Sequence, residues 1–150
     1  MVPEKKGQFT DPILNAEFEN IYSGMTKPQT FNANIDAIGG MTIGTLTINQ
    51  QRFCIIGNKL KLSIAIVGTT GGVASPAFRI DVPKKPKYAA IDNAFGGGCL
   101  VRDGAGVWLG GTWVWGSVAE KIYISKYDYT NFGIGTSRGI IMEIEYEIDA

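Results

Sequence analysis

The spacing of apolar positions changes period once along this chain, and that change divides it. Between Asp11 and Gly24, Leu14, Phe18, Ile21, Tyr22 and then Met25 recur at the i, i+4, i+7, i+8, i+11 positions of one helical face. Asp11 is a good N-cap, because its carboxylate can accept from the first free backbone N–H groups. Pro12 falls at the first helical position, where a missing N–H does no harm, and Gly24 suits a C-terminal stop. The pattern predicts a helix over about 11–24. A helix this short is marginal alone, so its stripe needs a surface, in its own domain or on another molecule. The stretch Thr26–Gly40, with Pro28, two Asn and a Gly pair, reads as a connector.

From Met41 onward the period is two. Leu60, Leu62, Ile64 and Ile66 share one face of a predicted strand. In the closing stretch, Ile140, Met142, Ile144, Tyr146 and Ile148 share one face, and Ile141, Glu143, Glu145, Glu147 and Asp149 the other. Such one-sided alternation belongs to antiparallel sheets with a wet outer face. Shorter runs recur at 41–48, 52–56, 78–82, 99–101, 107–109, 112–118 and 121–125. Gly57-Asn58 suits a two-residue hairpin with positive φ, and Asp103-Gly104-Ala105-Gly106 a longer hairpin loop. The apolar phase switches at Gly44, which predicts a bulge or bend. Eight to ten short strands with glycine turns and no second helix predict an all-β sandwich or barrel.

Composition narrows the chemistry. There are 150 residues, enough for one domain with a short appendage, and 20 of them are glycine. Fourteen Lys and Arg balance fourteen Asp and Glu, and histidine is absent. Ser–His–Asp and Cys–His catalysis are therefore excluded, and the commonest zinc ligand is missing. Zero net charge argues against nucleic-acid binding by counterion release. No run approaches the ~18–20 apolar residues of a membrane span, so no membrane insertion is expected. Met1-Val2-Pro3-Glu4-Lys5-Lys6-Gly7 has no apolar core behind its charges and does not read as a secretory signal. Cys54 and Cys99 are too few for a disulfide framework, and spacing leaves open whether they meet.

Several groups invite a functional reading. The carboxylates Glu143, Glu145, Glu147 and Asp149 follow so strict an alternation that the wet face of a strand accounts for them. Lys84, Lys85 and Lys87 lie between and after prolines, in a solvated connector that could meet an anionic sugar or a neighbouring subunit. The three consecutive glycines Gly96–Gly98 precede no helix and form no phosphate loop. The aromatic group is more informative: Trp108, Trp113, Trp115, Tyr123, Tyr127 and Tyr129 fall within 22 residues. Aromatics on strands fill cores and subunit interfaces, and exposed ones stack on sugar rings. Tyr127-Asp128-Tyr129, a carboxylate between two rings on an expected loop, is the best sequence candidate for a glycan contact. No paired arrangement of Asp, Glu, Tyr and Lys suggests an enzyme, and no cofactor or metal is expected.

Residues 40–150 resemble the jelly-roll domains of tailed-bacteriophage virion proteins, those of head fibres, tail fibres and receptor-binding appendages. The resemblance runs through Gly44-Thr45-Leu46-Thr47, Arg52-Phe53-Cys54-Ile55-Ile56-Gly57-Asn58-Lys59-Leu60, and a Gly/Thr loop over 67–73. It continues through Phe78-Arg79-Ile80-Asp81-Val82-Pro83, a glycine-rich middle, and the ending Glu145-Tyr146-Glu147-Ile148. Phe9–Tyr22 similarly resembles segments that open phage fibre proteins. The resemblance implies a jelly-roll-like antiparallel β-sandwich over 41–150, with a short N-terminal helix inside a lead, anchor and connector over 1–40. It also implies a non-enzymatic homotrimer on the virion, assembled in the host cytoplasm and held to other virion proteins through its N-terminal part. Only about 40 residues precede the β domain and no heptad shaft is present, which favours a short head fibre, decoration protein or fibre tip. Leu14, Phe18, Ile21, Tyr22 and Met25 would then be the virion anchor. Trp108, Trp113, Trp115, Tyr127, Asp128 and Tyr129 would serve trimer packing or contact with a host-surface glycan. The alternative is a carbohydrate-binding module or lectin acting outside a virion.

Overall fold

A computed structural model describes residues 27–87, 96–104, 106–116 and 121–149. The expected helix over 11–24 and its stripe Leu14, Phe18, Ile21, Tyr22 and Met25 lie outside these residues. The described chain is all-β and antiparallel. Its strands are β1 Gln29–Thr30, β2 Ile35–Ala37, β3 Met41–Ile56, β4 Lys59–Gly72, β5 Phe78–Asp81, β6 Gly96–Asp103, β7 Trp108–Trp115, β8 Lys121–Lys126 and β9 Gly135–Glu147.

Local sequence accounts for several of these elements. Gly57 opens the β3–β4 turn with φ 61°, a left-handed angle that lets a two-residue turn follow the twist of its strands. The β3–β4 register shifts between Ile43 and Leu46 and again before Ile48, so the expected bulge lies at Gly44. Gly104 and Gly106, at φ 114° and 118°, turn β6 into β7. Leu60, Leu62, Ile64 and Ile66 are buried, as are Ile140, Met142, Ile144, Tyr146 and Ile148. That is the inward face both alternations predict.

Other expectations are corrected. The runs 41–48 and 52–56 form one strand because Gln51, though polar, is buried with its amide satisfied. It donates to Asn49 Oδ1 at 2.6 Å and accepts from Ala33 N–H at 3.0 Å. Gly110-Gly111, which separates the runs 107–109 and 112–118, lies inside β7; a Cβ on Gly111 would stand 2.7 Å from Val101 Cγ1 and 2.9 Å from Ser125 O. Most of the Gly/Thr stretch 67–73 continues β4 to Gly72 rather than looping away. Within the expected connector, β1 pairs with β3 and β2 with β5.

The described strands make one nine-stranded sheet, in the order β1-β3-β4-β9-β6-β7-β8-β5-β2, instead of the two separate sheets expected of a sandwich. The reason lies in β9, which pairs with β4 on one side and with β6 on the other, while residues 29–37 add an end strand at each edge. Phe31 N–H donates to Gln51 O on β3, while Asp81 N–H on β5 donates to Asn34 O, each at 3.2 Å. β2 also runs beside β3, so the sheet curls until its ends nearly meet. One Greek key results: β6, β7 and β8 follow one another and β9 returns beside β6.

The core fills the space inside the curl. Ile80, Val101, Ile122 and Ile124 join the β4 and β9 stripes there. Phe132 closes one end against Phe78, ring centroids 4.4 Å apart, and its backbone pairs with that of the buried Ser75.

Candidate functional site

The register settles which aromatics belong together. Trp113 and Trp115 pair with Ile124 and Ile122, both fully buried, so the two indoles turn inward. They meet edge to face at 5.8 Å, and Trp115 meets Tyr146 the same way at 5.1 Å. Trp108 belongs to the opposite face. It pairs with Arg102, which pairs in turn with Gly139, and a Cβ on Gly139 would lie 3.0 Å from the Trp108 ring. Glycine there leaves room for the edge of the indole beside β9.

Around Trp108 the outer face carries an apolar band. Ile48, Val67, Gly139, Arg102 and Trp108 form one row across β3, β4, β9, β6 and β7. In the next row Ala65, Ile141, Leu100 and Gly110 are aligned, and Tyr127 N–H donates to Gly110 O. Ile48, Leu100, Ile141 and Tyr127, all on this face, are 38–75% exposed, and Leu100 and Ile141 are direct cross-strand neighbours. At ~4.8 Å between strands the row from Ile48 to Trp108 is about 19 Å long. Its one charge, the Arg102 guanidinium, lies 6.0 Å from the Trp108 ring centroid.

Ion pairs flank the band and fill the opposite side. Lys59–Glu145 at 3.1 Å and Lys61–Glu143 at 3.7 Å neutralise each other across β4 and β9, where the wet face was expected. Across β2, β5 and β8, Arg79 grips Asp36 through two hydrogen bonds of 2.6 and 2.8 Å. Lys121 bridges Asp81 at 2.8 Å and Asp36 at 3.5 Å, and these hydrogen bonds raise its ammonium pKa.

Tyr127-Asp128-Tyr129 does not form one clamp. Asp128 Oδ1 accepts from Thr130 Oγ1 at 2.7 Å and Thr130 N at 3.0 Å, which lowers its carboxyl pKa and shapes the turn. Tyr129 takes φ 56°, and the two exposed phenols line different depressions. Tyr127 lies beside Leu109, Gly110 and Lys126; Tyr129 lies beside Thr112, Tyr123 and Ser125.

At the end of the curl next to this turn, Asp103 holds two cations. Its carboxylate meets Lys126 Nζ at 2.6 Å and Arg138 Nε at 2.8 Å, and accepts from Gly133 N at 3.0 Å. Burial alone would raise this carboxyl, but the hydrogen bonds from Lys126 and Gly133 outweigh it and hold the pKa below the usual range. Arg138 also donates to the carbonyls of Gly133, Ile134 and Thr136, so the cluster shapes the chain between β8 and β9.

Cys54 and Cys99 are free thiols on β3 and β6, with β4 and β9 between those strands. Among the described residues, no group of three or more His, Cys, Asp or Glu is placed to hold a metal ion. The band was missed as a unit in the sequence, although one signal was present: Ile141 stands on the same strand face as three glutamates. Comparison of the chain with protein-family models, curated proteins and solved structures finds no match.

Proposed function

We propose that this chain is a non-enzymatic structural protein of a tailed-phage virion: a short, trimeric head-fibre, decoration or tail-fibre-tip protein, displayed on the particle and used for host-surface attachment. The observation that carries the reading is the apolar band of Ile48, Leu100, Trp108, Ile141 and Tyr127. Monomers rarely leave contiguous apolar surface of this extent open, and closed rotational symmetry is a common way to cover it. Copies of this same chain are the occupants the charges suit. The flanking Lys59–Glu145 and Lys61–Glu143 pairs are self-neutralised, and the whole chain has zero net charge, so copies of the chain approach without net repulsion.

The jelly-roll-like part of the reading draws its support from the Greek key of β6 to β9 and from the curl of the antiparallel sheet. In it, the β shell faces outward and residues 1–30 attach to other virion proteins through the Leu14, Phe18, Ile21, Tyr22 and Met25 stripe.

Sedimentation equilibrium tests the assembly. The intact chain is expected to be a trimer, and Leu100→Glu with Ile141→Lys a folded monomer by far-UV circular dichroism. A monomeric parent protein overturns the reading. Deleting residues 1–25 removes nothing from the described sheet, so the truncated chain should fold but fail to join particles; loss of folding would count against the anchor.

A further inference from the structure

β9 and β6 are hydrogen-bonded only where Arg138–Ile141 meets Leu100–Asp103. Beyond that point β9 follows β4 as far as Glu147, while β6 follows β7 back to Gly96. Among the described residues the two strands part, and Trp113 lies half-buried in the wedge between them beside the buried Trp115 and Tyr146. The resulting cleft has a volume of about 410 Å³, within the ~300–1,000 Å³ usual for small-molecule sites. Trp113, Trp115 and Tyr146 form its wall, and Glu145, Glu147 and Lys59 its rim. Gly96 lies at the lip with no side chain to close it.

We propose that this cleft is a binding site for a neutral saccharide, with Trp113 as the stacking platform and Glu147, Glu145 and Lys59 as hydroxyl partners. The wall is rigid. Trp115 and Tyr146 are almost fully buried at 4% and 9% exposure, and the Tyr146 hydroxyl donates to Lys84 O at 2.9 Å. Trp113, half-buried, rests on Gly97, where a Cβ would stand 2.8 Å from its Nε1. A pyranose offers the matching surfaces: an apolar C–H face for the indole and hydroxyls that both donate and accept. The rim selects against an anion, since two carboxylates outnumber the Lys59 ammonium. The Lys59–Glu145 pair is half exposed and weak enough to open for a ligand. A peptide strand is the poorer occupant, because Glu147 O already accepts from Lys87 N–H at 2.9 Å. This assignment stands apart from the virion reading: sedimentation judges that one, and glycan binding judges this one.

The test is an array of neutral oligosaccharides probed with the intact chain, followed by titration of the best glycan while tryptophan emission is recorded. Binding with a change in emission is expected. Losing one charge-assisted hydrogen bond in Glu147→Gln should weaken it about tenfold or more. Trp113→Ala should abolish binding and Trp113→Phe restore part of it, while Tyr127→Ala and Tyr129→Ala leave it intact. Circular dichroism checks that each variant is folded. A blank array overturns the proposal, as does capture of acidic glycans alone. So does a glycan affinity untouched by Glu147→Gln and Trp113→Phe, or one lost with Tyr127 or Tyr129.

Discussion

Asp103 shows how much one side chain can hold. It is 15% exposed and faces Lys126 and Arg138, themselves 11% and 12% exposed. Removing it strands two cations in a poorly solvated place, so Asp103→Ala should lose about 3–5 kcal/mol in urea unfolding. The same carboxylate gives the fold an acid-labile point. Its pKa is lower folded than unfolded, so its stabilisation is present above the unfolded value of about 4 and is lost as pH falls through the folded value. Thermal scans should show the melting temperature dropping below about pH 4, and less steeply in Asp103→Asn. Cys99 offers a second check. Burial pushes its thiol up to about 11, so a thiol reagent at pH 8 should modify Cys99 slowly in the folded protein and rapidly in urea.

Between residues and the whole shell, the β3–β4 hairpin and β9 carry most of the order. The hairpin depends on a left-handed Gly57, and alanine there should cost about 1–2 kcal/mol while leaving the register unchanged. Leu62, fully buried on β4 opposite Ile144, is a larger determinant; Leu62→Ala should lose about 2–5 kcal/mol, read as a shift in urea midpoint. These strands were legible because their apolar positions alternate without interruption. β6 and β7 were legible only in part, as the runs 99–101, 107–109 and 112–118, since Gly96, Gly97, Gly98, Gly110 and Gly111 carry no side chain to mark a face. They are strands because their neighbours supply the ladder, and tight contacts such as Gly111 against Val101 explain why glycine is needed there.

Taken whole, the curled sheet has two unlike outer surfaces. Ion pairs among Asp36, Arg79, Asp81 and Lys121 cover β2, β5 and β8, while the apolar band crosses β3 to β7. Association through the band should therefore survive 1 M NaCl in sedimentation, because screening weakens ion pairs and leaves apolar contacts intact. Lys121→Ala should leave the oligomer unchanged. The pairing across β2, β5 and β8 could not be read from the sequence, since Asp36 and Lys121 lie far apart along the chain and meet only after β2 has crossed to the second edge.

What the chain determines locally is its class: a period of two, glycine turns at Gly57 and Gly104, and an inward stripe on β4 and β9, each set by neighbouring residues. Folding in three dimensions decided the rest. Pairing of β9 with both β4 and β6 made one sheet, and strand order drew Ile48, Leu100, Ile141 and Tyr127 onto a single face. The divergence of β9 from β6 set Trp113, Trp115 and Tyr146 along an open cleft. Side-chain period records which face a residue takes, but not which distant strand will lie beside it. Both candidate surfaces of this protein arise from that second choice.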